Sequence, residues 1–317
     1  MSESNIAKPK KSIVGSLMLL LTAIIWGLAF VAQSEGSKHI GAFTFNSIRF
    51  MIGFAVLVPS VAFLDRLKGS ERRLFSIRER RLDIDVTRRE IIGGALCGVV
   101  LCIASVLQQL GVEMIGSGKS GFLTSVYVVI VPILGIFLRK RVRLSTWGGV
   151  AAALVGVYLI SVAPGDGFSI GLGEIYVILS SLVFAIHIII IDHITASTDG
   201  VRVSMIQFGV AALVALPFML AIDRPGMSDI LSAALPLVYA GAFSCGCAYT
   251  LQIVGQSRTD PTVASLIMSL ESVFSVIGGA LILGEVMSGR EYIGCAVVFA
   301  AVIFTNFLEG RSEKKSK

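Results

Sequence analysis

Two ionisable side chains stand inside long apolar runs of this 317-residue chain. Arg49 lies in AFTFNSIRFMIGFAVLVPS (42–60) and Glu271 in PTVASLIMSLESVFSVIGG (261–279). If these runs cross a membrane, each charge costs at least ~2.5 kcal/mol to hold at bilayer depth, so such residues mark substrate or ion sites by default. Arg49 is eight residues into its run, ~12 Å deep at ~1.5 Å per helical residue. Glu271 is about eleven residues into its run, near the membrane centre. A guanidinium there suits an anionic group of a substrate. A carboxyl group suits a proton or a substrate amine. The structural alternative is that each is satisfied by neighbouring groups and locks helices together. The sequence leaves open whether the two pair with one another.

Uncharged polar residues form a second set. Ser120, Thr124 and Tyr127 are spaced i, i+4, i+7 and share one helix face. Ser265, Ser269 and Ser272 form a similar stripe later in the chain. Matched stripes fit the walls of a cavity, or polar glue between helices. Gln108, beside Gln109, and Gln252 stand near opposite ends of their runs, as substrate contacts or interfacial hydrogen bonders. Trp26 is in mid-run, away from the interfacial belt where tryptophan commonly sits, so it stacks on a substrate or fills the core. His187 is a proton relay or a packing residue. His187, Asp192 and His193 do not share a helix face, and the five cysteines all fall inside apolar runs, so no metal site is expected. There is no P-loop and no set of paired acids or Ser/His groups at one depth. Catalytic residues, cofactors and direct ATP hydrolysis are therefore not expected.

The elements that must position these residues are membrane helices. The chain is 55% hydrophobic and only 15% charged, against about 25% charged in soluble domains. Ten apolar runs are each consistent with a bilayer crossing: 12–33, 42–64, 90–111, 118–138, 146–163, 172–192, 202–222, 232–253, 261–283 and 291–308. The first follows Lys8, Lys10 and Lys11 but is too long for a signal-peptide core and lacks a clear cleavage site. The longest connection, 65–89, is arginine-rich and reads as an amphipathic surface helix or a solvated loop. The net charge of +6 does not point to nucleic acid, because the charges sit between the runs. With the N-terminus in the cytoplasm, 22 Lys and Arg fall in cytoplasmic caps and 4 in caps on the other side. That bias places both termini in the cytoplasm.

The chain also repeats. A shift of 158 places Gly15, Thr22, Trp26 and Arg49 on Gly173, Ser180, Phe184 and Gln207. Later, a shift of 145 places Ser120, Thr124 and Tyr127 on Ser265, Ser269 and Ser272. The longer loop after the second run accounts for the change. Two five-span halves must enter the membrane with opposite orientation, an architecture recurrent in secondary transporters.

The phrases AIIWGLAFVAQ (23–33), FTFNSIRF (43–50), SGFLTSVYVVIVPILG (120–135) and SLIMSLESVFSVIGGALILGE (265–285) resemble the EamA family of the drug/metabolite transporter superfamily. The resemblance covers about 12–308. It implies an all-α integral membrane fold of ten transmembrane helices, arranged as two inverted five-helix repeats around a central cavity. It implies that helices one, three, four, six, eight and nine line that cavity. It also implies transport of small metabolites, often amino acids or related compounds. One departure is Ser272, where the family often has proline after the glutamate of the ninth span.

The expected organisation is thus a cytoplasmic tail (1–11), a first repeat (12–163), a second repeat (164–308) and a basic cytoplasmic tail (309–317). The expected function is a secondary carrier of the cytoplasmic membrane, an exporter of a small metabolite by alternating access. Its partners are the substrate, the lipid bilayer and a coupling proton or ion. A non-transporting sensor or assembly factor, and a membrane-embedded enzyme, are the competing readings. Substrate identity, coupling ion and oligomeric state are not encoded legibly.

Overall fold

The computed structural model describes residues 13–67, 81–138, 142, 144–161, 170–284 and 286–314. Residues 1–12, residues 68–80 of the arginine-rich connection 65–89, residues 315–317 of the basic tail 309–317, Lys140 and Glu285 lie outside the described residues. Among those described, the chain is helical and contains no strand.

The helices are α1 (Ile13–Gly36), α2 (Ala42–Leu67), α3 (Arg81–Ser125), α4 (Tyr127–Phe137), α5 (Leu144–Ser161), α6 (Leu172–Thr195) and α7 (Gly200–Phe218). They continue as α8 (Met227–Ser232), α9 (Ala234–Val238), α10 (Thr250–Gln256), α11 (Pro261–Met268), α12 (Glu271–Leu283) and α13 (Gly289–Lys314). Two π-helical stretches, Met219–Asp223 and Tyr239–Tyr249, extend α7 and join α9 to α10.

Seven segments are long and apolar enough to cross a membrane. The sequence reading gives ten, and the difference has three sources. The third and fourth expected spans run together through Arg88–Phe137, the fifth is the shorter apolar helix Thr146–Ile160, and the tenth falls in α13, which is not among the seven. The joined segment nevertheless contains a break. At 45 residues, α3 would be about 67 Å long if unbroken, twice a ~30 Å hydrocarbon slab. Gly116 interrupts it with φ 76 and ψ 175, backbone that a residue without Cβ adopts readily.

Leu17, Leu21, Leu213, Leu220, Ile303 and Phe304 are exposed. This multi-pass protein turns apolar side chains outward because its solvent there is hydrocarbon. Lipid is as apolar as leucine, so helix association must come from close packing and hydrogen bonds. Glycines provide the close packing. A Cβ on Gly255 would stand 3.1 Å from the Gly15 carbonyl oxygen, and one on Gly111 would stand 3.1 Å from the Gly173 carbonyl oxygen. Gly15 and Gly173 are the first pair related by the 158-residue shift, so α1 meets α10 as α6 meets α3. Helices α2 and α7, and α5 and α13, also pack against each other. Matched pairing of this kind is what a two-fold relation between halves produces.

The expected departure at Ser272 does not keep the later run straight. The helix still breaks at Ser269 and Leu270, between α11 and α12, without a proline. Bonds of the tighter i→i+3 kind close the turn: Leu270 N–H to the Ile267 carbonyl at 3.2 Å, and Ser272 N–H to that of Ser269 at 3.2 Å. The side chains contribute. Ser265 donates to the Thr262 carbonyl at 2.8 Å and Ser269 to the Leu266 carbonyl at 2.7 Å, and such bonds compete with the helical ladder. Around these elements the apolar interior forms two main clusters. One centres on Leu19, Val128, Leu266 and Met268, the other on Phe50, Leu101 and Phe208. Trp26 packs against both.

Candidate functional site

Between the two clusters lies a cavity. Its lining comes from both halves of the chain. Trp26, Ala29, Phe30 and Gln33 come from α1, Arg49 from α2, and Gln108 and Thr124 from α3. Tyr127 comes from α4, and Phe184 and Ile188 from α6. Ser244 and Tyr249 lie on the second π-helical stretch, Gln252 on α10 and Glu271 at the start of α12.

Seven of the twelve residues singled out from sequence line this space: Trp26, Arg49, Gln108, Thr124, Tyr127, Gln252 and Glu271. The other five are buried outside the lining. Ser265 and Ser269 bond their own helix backbone, as described. Ser272 shares a short hydrogen bond with Ser125 and donates to the Gly121 carbonyl at 3.3 Å. It ties α12 to α3. His187 Nε2 meets Gln207 Oε1 at 3.1 Å. Ser120 is fully buried, and its hydroxyl has no partner.

The two charges stand apart. Each is only 3% exposed. Among the described residues, neither joins an ion pair, unlike Lys38 with Glu35, Lys119 with Glu174 and Arg202 with Glu90. Glu271 Oε1 accepts a hydrogen bond from the Tyr127 hydroxyl at 3.0 Å. The Arg49 guanidinium sits over the rings of Phe45 and Phe50, 5.5 and 5.1 Å from their centroids, and its Nε has no hydrogen-bond partner. Desolvated cation–π contacts are worth about 2 kcal/mol or more each. Two of them offset the ~2.5–3.5 kcal/mol insertion cost of a central arginine. That balance lets Arg49 stay buried without a carboxylate.

Tyr249 is within electrostatic reach of both Arg49 and Glu271. Its ring lies 4.6 Å from that of Trp26, centroid to centroid, tilted by 58°. Phe208 and His187 pack edge-on against it at 5.5 and 6.3 Å. Gln108 Nε2 donates to the Thr124 hydroxyl at 3.2 Å. The site therefore presents a free guanidinium, a singly hydrogen-bonded carboxyl group, amides, and walls of aromatic rings. Among the described residues no cluster of three or more His, Cys, Asp and Glu side chains fits a metal ion.

Sequence reasoning missed Ala29, Phe30, Gln33, Phe184, Ile188, Ser244 and Tyr249. Two had a signal. Phe184 is the repeat partner of Trp26, and Gln33 is seven residues after Trp26 on the same helix face. Ser244 and Tyr249 are five apart. That spacing shares a face only in a π-helix, where bonds run i→i+5, and no sequence periodicity announced one.

An uncharacterized transporter of Archaeoglobus fulgidus is 27% identical over 302 residues, covering 95% of this chain and 88% of that protein. A riboflavin transporter of Rhizobium johnstonii is 24% identical over 317 residues, covering 99% of this chain and 98% of that protein. A solved crystal structure, 18% identical, has the same fold, with a TM-score of 0.70 over 94% of this chain and 98% of its own. The model of the EamA-like transporter family matches residues 13–162 and 171–307. The protein is thus a multi-pass membrane transporter, and it belongs to the EamA-like transporter family.

Proposed function

We propose that this transporter is a secondary carrier that exports a small metabolite, such as an amino acid or related compound, across the cytoplasmic membrane. In this reading ten helices form two inverted five-helix halves, residues 12–163 and 164–308, with both termini in the cytoplasm. Alternate opening of the cavity to either side moves the substrate, and a proton or ion gradient, or the substrate's own gradient, drives it.

One observation carries the proposal. The cavity joins Arg49 from the first half to Glu271 from the second, with no ion pair between them. Phe45 and Phe50 let Arg49 stay buried but leave its charge unneutralised, and Glu271 has one side-chain donor, so both groups are open to a charged or polar ligand. Arg49 would hold an anionic group, and Glu271 a proton or amine. Trp26, Gln108, Thr124, Tyr127 and Gln252 would complete the contacts. The transporter names of the full-length relatives agree with this, and the riboflavin transporter shows that a relative of the same length is named for a ring-bearing solute.

The test is flux in proteoliposomes holding the purified chain, with a panel of amino acids, organic acids and riboflavin. We expect at least one solute to cross faster than through empty liposomes, and Glu271→Gln to change its rate. If nothing in the panel moves and Glu271→Gln alters nothing, the carrier reading fails.

A further inference from the structure

The cavity also constrains what it can hold. Arg49 is a nearly fully buried cation with no carboxylate partner among the described residues, and it is one of the residues that line the cavity. Phe45 and Phe50 flank it without neutralising it. Its repeat counterpart, Gln207, is engaged with His187. The unmatched positive charge is therefore specific to the first half. A planar fork of N–H donors is the side chain best shaped for carboxylate. The carboxyl group opposite, Glu271, already has a donor in Tyr127.

Two further features narrow the ligand. Gln33 and Gln252 both line the space, and each keeps a buried amide oxygen with no donor. Such acceptors call for an O–H or N–H on the ligand, since buried polar atoms are normally paired. The remaining walls are rings: Trp26, Phe30, Phe184 and Tyr249. Flat aromatic walls favour a flat body stacked or packed edge-on against them.

We infer that the cavity takes a small organic anion, a carboxylate on a flat ring that also carries an O–H or N–H donor. This rests on the carrier reading of the same cavity and names its substrate class. A cation brings a second positive charge beside Arg49. A neutral ester leaves Arg49 as it is in the empty site. Both should bind more weakly than the acid.

The test uses the purified full chain in detergent and three matched probes in calorimetric titration. These are 4-hydroxybenzoate, its neutral methyl ester, and the cation tyramine. A charge-assisted contact predicts that the acid binds roughly tenfold tighter than the ester, or better, with tyramine weakest. In Arg49→Gln the acid should fall to the ester's level, while the ester changes by less than about twofold. Equal binding of acid and ester, tighter binding of tyramine, or binding of none of the three by the wild type overturns the inference. The wild-type comparison decides even if the variant does not fold. Failure of the carrier reading looks different. An acid preference in titration with no flux of any solute in proteoliposomes leaves the anion site standing and removes the carrier. Flux without an acid preference does the reverse.

Discussion

The contact most open to a quantitative test is the hydrogen bond from Tyr127 to Glu271. It spans 3.0 Å between residues that are each 3% exposed, and it joins the start of α4 to the start of α12. Tyr127→Phe removes the hydroxyl and leaves the ring, so little packing is lost. Glu271 then loses its protein donor in a buried setting. A hydrogen bond to a charged group contributes about 1.5–3 kcal/mol, and one between neutral groups about 1 kcal/mol. Tyr127→Phe should therefore destabilise the wild type by about 1.5–3 kcal/mol if the carboxylate is ionised. In a Glu271→Gln background an acceptor remains but the charge does not, so the same change should cost about 1 kcal/mol. In a Glu271→Leu background the hydroxyl has no acceptor. Its removal should then be neutral or stabilising, since a buried unpaired donor is itself a cost. The assay is unfolding by a denaturing detergent titrated into mixed micelles, with each free energy compared around the cycle. Additivity within about 0.5 kcal/mol across all three backgrounds would refute a direct bond between the two side chains.

Two further outcomes test the packing that holds the cavity. A Cβ on Gly111 would collide with Val177 Cγ2 and stand 3.1 Å from the Gly173 carbonyl, whereas one on Gly255 meets Leu19 Cγ at 3.0 Å and the Gly15 carbonyl at 3.1 Å. Gly111→Ala should thus destabilise by about 1–3 kcal/mol through overpacking and lower the thermal midpoint more than Gly255→Ala in the same detergent; the reverse order would contradict the helix spacing. Asp223 accepts from the Thr44 backbone N–H at 2.7 Å and from its hydroxyl at 2.8 Å, capping the first turn of α2 from a distant part of the chain. Asp223→Ala should cost about 1 kcal/mol and raise hydrogen–deuterium exchange over residues 42–46 roughly fivefold, and unchanged exchange there would show that the cap is not working.

Much of this was legible in the sequence, for physical reasons that differ from residue to residue. The apolar runs declare themselves because every backbone group in lipid must be satisfied within its own helix. Arg49 and Glu271 stand out because charge in such a run is costly. The serine stripe at Ser265, Ser269 and Ser272 was equally visible, yet its hydroxyls bond backbone and α3 rather than lining the cavity. Side-chain spacing shows which residues share a face, but not whether a short hydroxyl turns back onto its own helix. The break before Glu271 shows the same limit. A proline would have announced it, whereas a turn closed by i→i+3 bonds and two serines looks like ordinary helix in one dimension. Tyr249, which lines the cavity with both charges, was hidden by the π-helical stretch that presents it.

The repeat explains what kind of asymmetry the cavity has. Under the 158-residue shift Trp26 answers to Phe184 and Arg49 to Gln207, and under the 145-residue shift Tyr127 answers to Ser272. The first pair keeps an aromatic ring on each side, and both rings line the space. The second pair keeps polarity but puts charge on one side only, and the third puts the donor for Glu271 on one side only. Shape is shared between the halves, while charge is not. A cavity with a two-fold shape and uniform polarity would accept a polar ligand equally well in two orientations related by that axis. With the guanidinium on α2 and the carboxyl group on α12, the proposed anion would favour one orientation, the one that pairs its charge with Arg49. In the proposed anion site the departures from the repeat would thus orient the ligand, and its shared features would hold the helices that enclose it.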